Sequence, residues 1–253
     1  ILPPSSNCSW KSSGNYSLIM MVNYKYTAMI PARLGSKRIP KKNIRYLLDK
    51  PLIQYPIELA LSSSRFDGIW VNTESEELGQ VAIKLGAQFH RRPASLATDT
   101  ATNRDFTYEF LQHHKCDYVI MLNTTSPLLR QETMNRFLSY IDENEFDTVL
   151  SVIVEKEETF FQGQPLNFSL SEKVNSQLLE PTEAVVWAMT AWRRKSFMEM
   201  QESGINPVFG GSLGRFAIPK DEACDLDTEE DWNIAEGIMT ARKKQSERRY
   251  MEL

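Results

Sequence analysis

The stretch "YTAMIPARLGSKRIPKKN" (residues 26–43) joins an apolar run to a strongly basic loop. The apolar part, "YTAMI" (26–30), is typical of a buried β-strand. From the start of the loop to position 45 there are six basic side chains and no acidic one: Arg33, Lys37, Arg38, Lys41, Lys42 and Arg45. The whole chain has a formal net charge of −4. Positive charge is therefore concentrated directly after the first strand of an acidic protein.

Beyond this stretch, strand-like and helix-like runs alternate along the chain. Apolar and β-branched runs predict strands at residues 68–73, 117–122 and 147–154. Apolar residues at helical spacing predict the following helices: 50–64, 75–87, 132–144 and 228–245. The alternation predicts an α/β fold with a mostly parallel sheet, in which ligands bind beyond the carboxyl ends of the strands. The basic loop lies at such an end.

The composition is that of an ordinary globular protein, since 42% of the 253 residues are hydrophobic and 25% are charged, and the length allows one large domain or one domain with a smaller appendage. We interpret residues 1–22, which are rich in Ser, Pro and Asn, as a poorly ordered extension before a domain at residues 23–253. Residues from about 155 to 185 are polar and interrupt the alternation. They indicate an inserted arm or a dimerisation flap.

Several classes of protein are disfavoured by the composition. The three cysteines (Cys8, Cys116 and Cys224) are far apart, which indicates neither a disulfide framework nor a zinc site and fits a reducing cytoplasm. No apolar run approaches the roughly 18 residues needed to cross a membrane. The acidic chain lacks the broad basic face that nucleic acids require. One basic loop instead suits a compact polyanion such as a triphosphate.

Within the loop, Gly35 and Ser36 allow a tight turn whose backbone N–H groups can bind an anion. Arg33, Lys37 and Lys42 add positive charges that can reach phosphate oxygens. Charge alone equally supports a solvated surface loop or a basic patch for a partner. The position after the first strand favours phosphate binding.

A second candidate site is "ACDLDTEEDW" (223–232), which contains Asp225 and Asp227. Side chains two residues apart in an extended chain point the same way, and paired carboxylates suit Mg²⁺, a hard cation that prefers oxygen ligands. A helix start also explains part of the pattern, because Asp227 with Glu230, or Thr228 with Asp231, has the spacing of a capping box. That alternative does not require Asp225.

Two further loops carry polar side chains. In "RRPASLATDTATN" (91–103), Arg92 precedes small and hydroxylic residues that allow a ligand to approach closely. In "NTTSPLLR" (123–130), Ser126 before Pro127 is typical of a helix start, although the hydroxyls could instead line a sugar site. We assign no catalytic role to the three histidines, which form no triad or metal-binding pattern: His90, His113 and His114.

Four motifs, taken in order, resemble the motif series of the acylneuraminate cytidylyltransferases (CMP-sialic acid synthetases), to which the CMP-Kdo synthetases are related: "ARLGSKRIPKKN", "RRPASLATDTA", "TTSPL" and "DLDTEEDW". The resemblance covers most of the chain, from about residue 26 to about residue 236. It implies a Rossmann-like nucleotidyltransferase fold and a homodimer with a protruding dimerisation arm. The implied reaction joins CTP to a 2-keto sugar acid and gives a CMP-sugar and pyrophosphate.

The resemblance also implies roles for individual residues. The set expected to hold CTP is Arg33, Gly35, Ser36, Lys37, Lys42 and Asn43. Arg92 and Ala101 are expected beside the cytosine, with Asn123 and Ser126 among the substrate-binding residues. Asp225 and Asp227 are expected to hold Mg²⁺. Catalysis is expected to depend on Asp225, Asp227, Arg33 and Lys42, and the proton acceptor is either Asp227 or a metal-bound hydroxide.

The chain departs from the family's pattern in regions that the family uses for the sugar acid and the partner subunit. Asn123 and Thr124 stand where the family usually begins Q-P-T-S-P-L. The arm reads "NSQLLEP" instead of R-Q-[DE]-L-P, and "WAMTAW" (187–192) replaces N-G-A-[IV]-Y. The nucleotide half of the site therefore matches the family, while the sugar half differs, and a related nonulosonate or another keto-sugar acid stays open as the acceptor.

Three alternatives also stay open. One is a nucleotidyltransferase acting on a different sugar acid, a sugar phosphate or a polyol phosphate. Another is a nucleotide-binding subunit that has lost catalysis, which the altered arm motivates and the paired aspartates disfavour. A glycosyltransferase that uses Asp225 and Asp227 for a nucleotide sugar is disfavoured, because such a pair normally follows a strand in the middle of the chain.

Overall fold

A computed structural model describes residues 24–244, so the extension predicted at residues 1–22 lies outside the described residues. The strands are β1 (Tyr26–Pro31), β2 (Tyr46–Leu47), β3 (Lys50–Pro51), β4 (Phe66–Thr73), β5 (Gln88–Arg91), β6 (Tyr118–Leu122), β7 (Thr148–Glu155), β8 (Phe160–Phe161), β9 (Gln164–Pro165), β10 (Thr182–Arg193) and β11 (Leu213–Ala217). The α-helices are α1 (Gln54–Leu61), α2 (Glu76–Lys84), α3 (Asn103–His113), α4 (Gln131–Asn144), α5 (Arg194–Glu202) and α6 (Glu229–Lys244). Within residues 24–244, no helix is both long enough and apolar enough to cross a membrane.

A seven-stranded sheet organises the fold, in the order β11-β7-β10-β6-β1-β4-β5. Its neighbouring strands are parallel except where β10 runs antiparallel to both β6 and β7. The predicted α/β fold with a mostly parallel sheet is therefore confirmed.

Helices cover both faces of the sheet. Because successive side chains of a strand point to opposite faces, one strand contacts both layers of helices. Ala28 and Ile30 of β1 belong to the core shared with α1, α2 and α4. Met29, which lies between them, belongs to the core shared with α3 and α5. A third apolar cluster joins Ile39 and Leu47 to Trp232 of α6, and this packing places the start of α6 against the basic loop.

Most predicted elements are present with ends that differ by a few residues. The three strands predicted after β1 are confirmed as β4, β6 and β7, and three of the predicted helices as α2, α4 and α6. The helix predicted at 50–64 is shorter, because Lys50 and Pro51 form β3 and pair with β2. The strands β5, β10 and β11 and the helices α3 and α5 were not predicted, since runs of mixed polarity have no clear period.

The helix start predicted at Ser126 and Pro127 is wrong, because α4 begins at Gln131. The buried carboxylate of Glu222 accepts hydrogen bonds from the backbone N–H of Arg130 (2.9 Å) and the hydroxyl of Thr133 (2.9 Å). This partner lies 92 residues from Arg130 in sequence. The polar groups at the start of α4 therefore find their hydrogen-bond partner in a residue that is distant in sequence. No local sequence pattern reveals that partner.

The start of α6 resolves the alternative explanation for Asp227. The backbone N–H and the hydroxyl of Thr228 both donate to the carboxylate of Asp231 (2.8 Å each), whose own N–H donates to the Thr228 hydroxyl (3.2 Å). This is the reciprocal arrangement of a capping box. The helix start consequently does not use the side chain of Asp227.

Between β7 and β10 the chain leaves the sheet at residues 156–181 and returns where Thr182 pairs with Glu155. The excursion contains the short antiparallel pair β8–β9. It exposes several large apolar side chains: Phe160, Phe161, Leu166, Leu170 and Leu178. Its interpretation as a dimerisation arm stays a prediction.

Candidate active site

A cavity of about 530 Å³ lies beyond the carboxyl ends of β1, β5 and β6. Of the predicted site residues, those that line it are Arg33, Ser36, Lys37, Lys42, Asn43, Arg92, Ala101, Asn123 and Asp227. They come from four separate parts of the chain. The parallel sheet brings these parts together because strands that run in one direction end at the same edge.

The basic loop faces an acidic side chain that the sequence analysis missed. Arg33 contacts the carboxylate of Asp99 at 2.7 Å, and Lys37 forms a second ion pair with it. These two cations hold the pKa of Asp99 below its ordinary value. Asp99 thus competes for positive charge that an anionic ligand in the cavity would use. It belongs to the quoted motif "RRPASLATDTA", but local sequence did not indicate its partners.

Glu74, at the end of β4, connects two walls of the cavity. Its Oε1 accepts the backbone N–H of Leu34 in the basic loop (3.0 Å), and its Oε2 contacts Nη2 of Arg92 (3.3 Å). The same nitrogen of Arg92 also donates to the carbonyl of Ala32 (3.0 Å). One carboxylate therefore fixes the loop and the arginine relative to each other, although it does not line the cavity itself.

Arg92 and Asn43 are buried side chains with polar atoms that have no partner in the described structure. Arg92 is 4% exposed, its guanidinium lies over the ring of Phe106 at 5.2 Å, and its Nε makes no hydrogen bond. Burial lowers the pKa of Arg92, although Glu74 opposes this effect. The Asn43 amide donates to the carbonyl of Arg33 (2.8 Å), while its Oδ1 is unpaired. Unpaired buried groups are costly, so their position on the cavity wall suits a polar ligand.

Asp227 forms the acidic wall opposite the basic loop. Nζ of Lys42 lies 3.0 Å from its Oδ1, and the guanidinium of Arg38 lies 2.8 Å from its Oδ2. Lys42 also donates to the backbone carbonyl of Leu226 (2.7 Å). Lys42 and Asp227 are predicted site residues, whereas Arg38 was not predicted. It lies on the same loop, so only its contact across the cavity distinguishes it.

Asp225 does not line the cavity, in contrast to the expectation that it would face the same way as Asp227. The carbonyl of Thr125 accepts the N–H of the neighbouring, buried Leu226 (2.8 Å), and the side chain of Thr125 acts to lower the pKa of Asp225. Burial raises the pKa of Asp225, and the negative charge of Asp227 raises it further. Within residues 24–244, no group of three or more acidic, His or Cys side chains is placed to hold a metal ion.

Two of the three regions where the chain departs from the family's pattern, residues 123–124 and 187–192, contact each other. The side-chain amide of Asn123 donates to the carbonyl of Trp187 (2.5 Å), and its backbone N–H donates to the carbonyl of Ala188 (3.3 Å). At this point β10 bulges, since its pairing with β7 shifts between Val185 and Thr190. These two regions therefore form one structural unit at the edge of the cavity, and the altered segment of the arm is not part of it.

The remaining predicted residues lie elsewhere. Gly35 is exposed and Ser126 is buried, and neither lines the cavity. The three histidines are close to one another and to Glu109, with His114 2.9 Å from His90 and His90 2.8 Å from Glu109. They are also absent from the cavity lining.

A family model described as Cytidylyltransferase matches residues 27–230 of the chain. N-acylneuraminate cytidylyltransferase A of Danio rerio is 29% identical over 215 residues, which cover 83% of this chain and 50% of that protein. The chain therefore spans about half the length of this relative. Pseudaminic acid cytidylyltransferase of Campylobacter jejuni is 28% identical over 229 residues, which cover 83% of this chain and 94% of that protein.

The fold is also similar to that of solved structures. CMP:2-keto-3-deoxy-manno-octonic acid synthetase, solved in complex with CTP, gives a TM-score of 0.63 with 19% identity and covers 86% of this chain and 99% of that chain. At this identity the likeness shows a shared fold. The expected Rossmann-like nucleotidyltransferase fold is confirmed.

Proposed function

The chain belongs to the cytidylyltransferase family, and on that premise we propose that it joins CTP to a 2-keto sugar acid of the nonulosonate type. The products are a CMP-sugar and pyrophosphate. The proposal depends above all on the cavity, in which the cations of the basic loop face Asp227. The similarity to enzymes named for neuraminate and pseudaminate supports an acidic sugar as the acceptor.

Each part of the cavity suits one part of the reaction. Arg33, Lys37 and Lys42 are cations of the cavity wall that stabilise the triphosphate and the departing pyrophosphate. Arg92 and Asn43 line the cavity with polar side chains that suit the nucleotide. Binding both substrates in one cavity also removes much of the entropic barrier to their reaction.

In the reaction, the anomeric hydroxyl oxygen of the sugar forms a bond to the α-phosphorus of CTP. The bond from that phosphorus to the bridging oxygen of the β-phosphate breaks, and pyrophosphate leaves. The proton of the hydroxyl passes to a carboxylate, and Asp227 is the predicted metal-site carboxylate that reaches the cavity. Asp227 is consequently our proposed general base.

We propose Mg²⁺ as the cofactor, held by Asp225 and Asp227. Burial raises the pKa of Asp225, and a cation bound there would offset the cost of its negative charge. Two carboxylates fit Mg²⁺ because this ion commonly keeps several waters and uses substrate phosphates as its other ligands. When bound, Mg²⁺ supplies neutralisation of the charge on the transferring phosphoryl group.

The proposal is tested with purified protein, CTP, Mg²⁺ and a panel of acids that includes N-acetylneuraminate, pseudaminate and 2-keto-3-deoxy-manno-octonate. We expect pyrophosphate release and, by mass spectrometry, a CMP conjugate of at least one acid. Asp227→Asn should lower kcat by about 10²- to 10⁴-fold. The exposed Glu77→Gln, which removes a charge outside the cavity, should not. Absence of any conjugate from folded protein would refute the proposal.

We also propose a homodimer that buries the exposed apolar side chains of residues 156–181 against a second copy. Phe160 and Phe161 are 57% and 64% exposed, and apolar patches on a surface commonly mark interfaces. Light scattering should show a dimer that Phe161→Ser weakens. Ile83→Ser, at an exposed apolar position on α2, should leave the dimer intact. A wild-type monomer at micromolar concentration would contradict the proposal.

A cytoplasmic location is proposed on the basis of the thiols. Cys116 and Cys224 are free, and burial raises the pKa of Cys116 to about 12, which keeps its thiol protonated and unreactive. Free structural thiols suit a reducing compartment. Cell fractionation followed by immunodetection tests the location, and recovery outside the cytoplasm would contradict it.

A further inference from the structure

We infer that Arg38 binds the carboxylate of the acceptor and thereby selects a sugar acid over a neutral sugar. This inference rests on the proposed function, since it requires a 2-keto acid as the second substrate. It assigns to Arg38 a role in specificity that is separate from the binding of CTP.

The chemistry of the acceptor fixes where its carboxylate must lie. In the ring form of a 2-keto sugar acid, the attacking hydroxyl and the carboxylate are bonded to the same carbon. That hydroxyl must come within hydrogen-bond reach of its proton acceptor, which we propose is Asp227. A cation that recognises the carboxylate must therefore also lie beside Asp227.

Two cations contact Asp227, and they differ in mobility. Lys42 is 12% exposed, and its ammonium group is also held by the carbonyl of Leu226 at 2.7 Å. Arg38 is 66% exposed and makes no second hydrogen bond or ion pair within residues 24–244. Lys42 is thus fixed in the wall, whereas the guanidinium of Arg38 can turn towards a ligand.

The other cations of the cavity have different surroundings. Arg33 and Lys37 are paired with Asp99, and Arg92 is buried between Phe106 and Glu74. None of these three contacts Asp227. By elimination, Arg38 is the cation placed to meet the acid group.

The guanidinium has the right chemistry for this role. Its five N–H donors form a planar fork that matches both oxygens of a carboxylate. Such a group can keep its ion pair with Asp227 while other N–H groups bind the substrate. A neutral sugar would leave these donors facing no charge, so the arrangement discriminates against it.

The test compares Arg38→Gln and Arg38→Lys with the wild type. Loss of a charge-assisted, bidentate contact should raise KM for the acid about 10- to 100-fold in Arg38→Gln. Arg38→Lys, which keeps the charge but loses the fork, should give an intermediate value. The matched control is Lys41→Gln, because Lys41 is an exposed cation on the same loop that does not line the cavity.

Two further measurements separate this role from CTP binding. The calorimetric Kd for CTP without acceptor should change less than threefold in Arg38→Gln. In a calorimetric titration of the acid in the presence of CMP, the Kd of Arg38→Gln should rise by the same factor as its KM for the acid. With a neutral 2-ketose in place of the acid, the wild type and Arg38→Gln should give equal rates.

The outcomes are distinguishable. If wild type forms a CMP conjugate and Arg38→Gln has the same KM for the acid, this inference is wrong while the proposed function stands. If the Kd for CTP weakens as much as KM for the acid, Arg38 binds the triphosphate and the inference is likewise wrong. If wild type forms no conjugate with any acid, the proposed function fails and this inference fails with it.

Discussion

Replacing Glu74 by Gln should loosen both walls of the cavity, although the residue touches no ligand. The two oxygens of its carboxylate accept from different donors, Leu34 N–H and the guanidinium of Arg92. Glutamine keeps one acceptor and places an NH₂ group where the other was. One of the two donors must therefore lose its partner or face another donor.

The magnitude follows from the burial of the pair. Breaking a fully buried ion pair costs about 3–5 kcal/mol, because a buried charge is left uncompensated. Arg92 is 4% exposed, but Glu74 is 20% exposed and glutamine still offers one neutral acceptor, so we expect a loss of about 1–3 kcal/mol. For a protein of this size, 1 kcal/mol lowers Tm by about 2–4 °C. The expected decrease is therefore about 2–12 °C.

The same change should weaken CTP binding about tenfold, because the basic loop and Arg92 would no longer be held in a fixed relation. Thermal unfolding and calorimetric titration with CTP measure the two effects. Glu77→Gln is the matched control, since Glu77 is exposed at the start of α2 and should shift stability by no more than about 0.5 kcal/mol. Equal behaviour of the two variants would refute the reasoning, as would a lower Tm with unchanged affinity for CTP.

Four other substitutions test three separate features. Asp225→Asn should raise Tm at pH 7.5, because it removes a negative charge that burial disfavours. This gain in Tm should vanish at acid pH, where the wild-type carboxyl is protonated. Turnover should fall at least about 100-fold, because a proposed Mg²⁺ ligand is lost. Gly79→Ala should lower the free energy of unfolding, measured in urea, by about 1–3 kcal/mol, because an added Cβ would lie 2.6 Å from the ring of Phe89. Gly237→Ala should raise it by about 0.5–1 kcal/mol, because a Cβ at this position on α6 meets no other atom within 4 Å. Burial lowers the pKa of His114 to about 4, so stability should fall as pH drops from 6.5 towards 4, and His114→Gln should make this fall shallower in urea titrations at fixed pH.

Features that depend on neighbouring residues were predictable from the sequence. The position of the basic loop after β1 follows from an apolar run that meets a cluster of cations. Buried strands such as β6 have an unbroken apolar sequence, and α2 has a clear helical period. Such local patterns also gave the α/β fold class, because alternating elements leave few ways to form a sheet.

Features that depend on distant partners were not predictable. In the sequence Arg38 does not differ from its basic neighbours, whereas in the structure its guanidinium lies 2.8 Å from Asp227. Glu74 accepts a hydrogen bond from the backbone N–H of Leu34, which is 40 residues away in the chain. The helix start at Ser126 was mispredicted because a local dipeptide was weighed without Glu222. Sequence patterns identify side chains that are chemically suited to a site. Which of these side chains contact each other depends on how the sheet arranges the loops that carry them.

The ion pair between Lys42 and Asp227 joins residues that are 185 positions apart in the chain. Ribosomes add residues from the amino end at about 5–20 per second, so Lys42 is made about 10 to 40 s before its partner. Throughout this interval the nascent chain carries the cations of the loop without the opposing carboxylate. The cavity therefore cannot be complete before α6 has been synthesised and packs against the loop, which brings Asp227 into place.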